Sequence, residues 1–183
     1  MTKLGIDKKI LDEAYRRGHD YLPRWRACAP TVFAAITDTL GYEDDTAVND
    51  VWKATIALSG GTGNMAIGTC GAMAGAAAAI SYSFGFTKED IEKDYIKMLN
   101  VCGVAAEVGK KMQEKYGHIQ CQEVQFHHWG KSYRFTNPKA GLEFTKMWQE
   151  TKEDFKCQEV TGDLARWAVE KILEYNPQFS KRK

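Results

Sequence analysis

From Ala66 to Phe86 the chain carries no charged residue, and this stretch restricts the fold more than any other. It is long enough in principle to cross a bilayer. Its residues, however, are mainly Ala, Gly and Ser, which gain little from lipid. Gly71, Gly75, Ala79 and Ser83 follow one another at four-residue steps, so on a helix they form a small-residue ridge that lets another helix come close, within the chain or across a homodimer. The rest of the chain has ordinary polar faces, and the segment reads as a central buried helix with no membrane span.

Strand-type alternation is scarce elsewhere, while apolar residues recur at helical spacing over 6–19, 30–40, 46–58, 70–84, 88–116, 138–153 and 160–175. The expected class is all-α, a single helical bundle over residues 1–175 around the Gly/Ala-rich helix. With 183 residues, 44% of them hydrophobic, the chain can bury one core without disulfides. Val124, Phe126, Tyr133 and Phe135 alternate with polar residues around Trp129-Gly130, which reads as a short hairpin near 124–135 or an irregular loop. The polar, basic end, 176–183, is expected to fray.

Lys plus Arg total 25 against 24 Asp plus Glu, and no basic block supplies the field that nucleic-acid binding requires. Residues 1–17 lack the apolar run of a secretory signal, so a cytoplasmic location is expected. GGTGNMAIG, from Gly60 to Gly68, resembles a phosphate cradle but lacks the Gly-Lys-Ser/Thr ending and a preceding strand. Backbone clearance for Cys70 explains those glycines better.

Five cysteines in a reducing compartment suggest metal binding or redox chemistry rather than a disulfide framework, and none forms a Cys-x-x-Cys pair. Cys28 precedes a helix entered through Pro30, and Cys70 follows the capping residue Thr69. Cys121 and Cys157 each open a Cys-Gln-Glu-Val tetrapeptide. Placed at helix N-termini, such cysteines are expected to lose their protons more readily than at the usual value of about 8.5, because the dipole favours a thiolate. Cys102 instead falls on the apolar stripe Ile91, Tyr95, Met98, Cys102, Ala105, Val108, Met112, Tyr116 and is read as a small hydrophobe in a helix seam. His127 and His128 are read first as polar residues of a loop, and second as a substitute ligand or proton donor. Glu123 and Glu159 have no partner that would make them catalytic.

Four thiolates from separate elements satisfy the ligand count of an iron-sulfur cluster or a closed zinc site. A metal-free dithiol/disulfide pair and a purely structural protein also remain open. The box Cys70-Gly71-Ala72-Met73-Ala74-Gly75, with Cys28 before it and Cys121 and Cys157 after it, resembles the C_GCAxxG_C_C family of redox-active proteins over about residues 14–173. The resemblance implies a helical redox protein, an oxidoreductase or electron-transfer module with an unidentified redox partner. It favours an iron-sulfur cluster on Cys28, Cys70, Cys121 and Cys157, with zinc or no metal as the alternatives. Residues 125–154 are longer and more aromatic than the family leads one to expect.

Overall fold

The computed structural model describes residues 5–151 and 155–181, and among these every regular element is helical. The α-helices are α1 (Lys8–Trp25), α2 (Cys28–Thr39), α3 (Thr46–Ala54), α4 (Gly71–Phe84), α5 (Lys88–Lys93), α6 (Tyr95–Tyr116), α7 (Cys121–Trp129), α8 (Pro138–Glu150) and α9 (Lys156–Tyr175). Short 3₁₀ turns follow α3 and α9. No helix of the described residues is long and apolar enough to cross a membrane.

The uncharged segment forms α4, which packs against α2, α6 and α9. Its small-residue ridge has the expected use within the chain: a Cβ added at Gly75 would lie 2.2 Å from the Ala29 carbonyl oxygen, so only glycine admits α2 at this distance. α1 and α9 cross by the same device, since a Cβ on Gly18 would meet the Thr161 carbonyl at 2.4 Å and one on Gly162 the Tyr15 ring at 2.8 Å. Around these crossings Phe33, Ile36, Ile80, Met112, Leu164 and Ile172 are fully buried, each side chain contributing about 1.5–3 kcal/mol of transfer free energy.

Several boundaries differ from those the sequence suggests. The span 88–116 is two helices, because Asp94 leaves helical geometry and caps α6, accepting from the Ile96 amide at 3.0 Å. Of the hairpin or irregular loop expected near 124–135, the hairpin is replaced by α7, which Gly130 ends at φ 66°, and an irregular loop follows, so the aromatic alternation comes from one helix and the loop after it facing different neighbours. α1 runs past its expected end to Trp25, with Pro23 in its last turn. The span 46–58 is broken into α3 and a 3₁₀ turn. In the segment from 176 to 181, the Phe179 carbonyl accepts from the Tyr42 hydroxyl at 2.5 Å, and the Lys181 amide donates to the Leu40 carbonyl at 2.9 Å. Residues 152–153 of the expected helix 138–153 and 182–183 of the tail lie outside the described residues.

Candidate functional site

Helix entry divides the α-helices into two sets. α1, α3, α5, α6 and α8 begin with a side-chain cap from Asp7, Asp45, Thr87, Asp94 and Asn137. α2, α4, α7 and α9 have no side-chain cap hydrogen bond, and these four carry the four family-matched cysteines. Cys28 and Cys121 are the first residues of α2 and α7, Cys70 is the residue from which α4 springs, and Cys157 is the second residue of α9. Groups from other elements take some of the first-turn N–H groups of these helices, the Ser59 Oγ that of Ala29 in α2 and the Gly68 and Ala66 carbonyls those of Cys121 and Gln122 in α7.

A glycine-rich loop gathers these helix ends. Thr69 and Gln120 form an antiparallel bridge. The Cys70 amide donates to Ile119 at 2.7 Å, and the Cys121 and Gln122 amides donate to Gly68 and Ala66 at 2.9 and 2.8 Å. Thr62, Asn64 and Ala66 in this loop all have left-handed φ, 57–66°, a conformation that costs a non-glycine residue roughly 1–2 kcal/mol. The sequence reading of the loop glycines as clearance for Cys70 does not hold: a Cβ on Gly60 or Gly68 would meet Asn64 or the Gly61 carbonyl within the loop, and the cysteines approached are Cys121, from Gly61, and Cys28, from Gly71 just beyond the loop. A Cβ on Gly61 would stand 2.9 Å from the Cys121 Cβ, and one on Gly71 would stand 2.4 Å from the Cys28 Sγ.

Cys28, Cys70, Cys121 and Cys157 line one cavity of about 90 Å³. The Cys-Gln-Glu-Val repeat acquires a structural meaning here: in both copies the Cys, the Val one turn on (Val124, Val160) and the residue after it (Gln125, Thr161) line the same cavity. Gln125 is buried and bridges site to scaffold. Its Nε2 donates to the Cys121 Sγ at 3.2 Å, and its Oε1 accepts from the Tyr133 amide at 2.6 Å. The Gly60 amide donates to the Cys28 Sγ at 3.5 Å.

Contrary to the expectation from helix dipoles, all four thiols hold their protons more tightly than usual. Burial is the chief cause at each. Cys70 is raised further by the charges of Cys28 and Cys121, and Cys157 by those of Cys70, Cys28 and Cys121. Cys121 is pushed up to about 11 by burial and Cys28, against the opposing hydrogen bond from Gln125. Desolvation, and the cost of ionising one sulfur beside another, outweigh the helix ends.

Cys157 reaches the first turn of its helix because α9 begins at Lys156, ahead of the expected start at 160. Cys102 is not in a seam: it is exposed, with its Sγ 3.4 Å from the Met98 Sδ. The buried stripe of α6 is confined to Val104, Val108, Gly109, Met112 and Tyr116. Neither His127 nor His128 lines the cavity; both rings pack against Tyr116. Glu159 pairs with Lys115 at 2.8 Å. Sequence reasoning missed Gln125, whose position one helical turn beyond Cys121 was the available signal, and Ser59, whose Oγ accepts from the Ala29 amide at 3.4 Å. Among the described residues no group of three or more His, Cys, Asp or Glu side chains is arranged to hold a metal ion.

The sequence model of the family described as "Putative redox-active protein (C_GCAxxG_C_C)" matches residues 26–171. No curated protein and no solved structure matches the chain.

Proposed function

Because the chain belongs to the redox-active C_GCAxxG_C_C family, we propose that Cys28, Cys70, Cys121 and Cys157 hold an iron-sulfur cluster and that the protein transfers electrons in the cytoplasm. The observation that carries this reading is the coincidence of two sets: the helices that lack a side-chain cap are the ones whose cysteines line the cavity. A cluster with four thiolate ligands is anionic, and uncapped helix N-termini are suited to an anion. The donor set also fits, being four soft sulfurs from four elements.

When bound, such a cluster supplies one-electron transfer. The chain's own residues perform the other tasks. Gln125 and the Gly60 amide donate to sulfur, favouring the more negative, reduced state. Val124, Val160 and Phe155 are buried and supply apolar lining to the cavity. The buried, mutually repelling thiols argue against a metal-free dithiol, which needs a ready thiolate at neutral pH. A cation among them relieves both the burial penalty and the repulsion. A single zinc ion requires tetrahedral sulfurs about 3.8 Å apart, from Zn–S bonds of about 2.3 Å, whereas a multi-iron cluster accommodates a wider set.

Iron, zinc and acid-labile sulfide analysis of protein purified without oxygen tests the proposal. Iron and sulfide in comparable amounts are expected. Stoichiometric zinc without sulfide, or failure of reconstitution with iron and sulfide, would sink it.

A further inference from the structure

Against the sulfur cavity lies a second chamber of about 170 Å³, and the two share Arg26, Asn64, Phe135, Phe144 and Phe155 as lining. The long aromatic segment accounts for this chamber. Phe135 and Phe144 pack edge to face with ring centroids 4.6 Å apart, Phe144 and Phe155 do so at 5.6 Å, and Trp148 of α8 completes the wall. These contacts fix the aromatic faces without a ligand.

Arg26, Asn64 and Thr145 form the polar, exposed side of the chamber, and Arg26 is its charged member. It is the residue that ends α1, at φ 53°, and its guanidinium lies 4.0 Å over the Trp148 ring. Among the described residues no carboxylate pairs with it and no oxygen accepts a hydrogen bond from its side chain. A guanidinium held over an indole ring still has N–H groups to offer, and their fork matches a planar carboxylate in two parallel hydrogen bonds. The chamber opens to solvent beside Arg26, and its volume of about 170 Å³ has room for one six-membered ring.

We propose that this chamber binds a single-ring aromatic carboxylate, its ring against Phe135, Phe144 and Trp148 and its carboxylate on Arg26. Asn64, a left-handed residue of the loop that gathers the cysteine helices, lines both spaces, so the ligand sits directly beside the redox site. The binding claim does not depend on what the sulfurs hold.

Calorimetric titration of the full chain with benzoate tests it. A Kd of roughly 1 mM or tighter is expected, with acetate and cyclohexanecarboxylate each at least about tenfold weaker, since one lacks a ring and the other lacks a π face. Arg26→Gln should weaken benzoate at least about tenfold and Arg26→Lys should restore only part. Trp148→Leu should weaken it also, and this variant decides the matter if Arg26→Gln fails to fold. Cys102→Ser, at an exposed cysteine that lines neither cavity, should bind benzoate as the wild type does. Absence of benzoate binding, equal affinity for cyclohexanecarboxylate, or benzoate affinity unchanged in a folded Arg26→Gln or Trp148→Leu protein would overturn it.

Discussion

Gln125 shows how one buried polar side chain can serve both packing and chemistry. Its carbonyl is committed to the Tyr133 amide, which orients the amide nitrogen onto the Cys121 sulfur. Gln125→Leu preserves approximate volume but removes the donor, so the reduction potential of the bound cluster should fall, on the order of 50 mV for a charge-assisted hydrogen bond. Spectroelectrochemical titration of both proteins checks this, and an unchanged or higher potential would remove Gln125 from the tuning role. The cysteines themselves were legible in the sequence because their residue type and order mark them. Gln125, Ser59 and Arg26 were not, since their roles arise only once a neighbour from another element arrives. The direction of the thiol pKa shifts was misjudged for the same reason: a helix end is visible in sequence, whereas burial and sulfur-sulfur repulsion are not.

At the scale of elements, glycine decides which helices can touch. Gly75→Ala would drive a methyl group into the Ala29 carbonyl oxygen at 2.2 Å, and separating α2 from α4 should cost about 1–3 kcal/mol or more. Gly103 in α6 is the control: nothing lies within 4 Å of its added Cβ, so Gly103→Ala should stabilise by about 0.5–1 kcal/mol through helix propensity. Denaturant midpoints for the two variants check the pair, and equal midpoints would contradict the close α2–α4 contact. The ridge on α4 could be read from spacing alone because small residues at four-residue steps have few other uses. The break at Asp94 could not, since a capping aspartate inside a continuous apolar pattern looks like any exposed polar residue. α7 escaped for a related reason, its aromatic residues being shared among several neighbours instead of forming one stripe.

For the whole molecule, acid sensitivity should come in part from His128. Burial, then the charge of His127, lower its pKa from 6.5 to about 4. The unfolded chain therefore binds a proton between these values while the folded one does not, so this contribution is complete above pH 6.5 and is lost as the pH falls towards 4. His128→Gln should lose less stability than the wild type between pH 7.5 and 5, as measured by urea unfolding at each pH. Equal losses would show that His128 is not an acid sensor.

Assembly of the four helix ends into one site is the most direct target for measurement, because it uses the whole bundle. Iron and sulfide content should be compared in Cys70→Ser and Cys102→Ser proteins purified without oxygen. Serine at Cys70 keeps the shape but is a poor ligand for a soft metal, so the cluster should be lost. At exposed Cys102 the same change should leave wild-type content. If Cys70→Ser retains its iron and sulfide while Cys102→Ser loses them, Cys28, Cys70, Cys121 and Cys157 are not the working set.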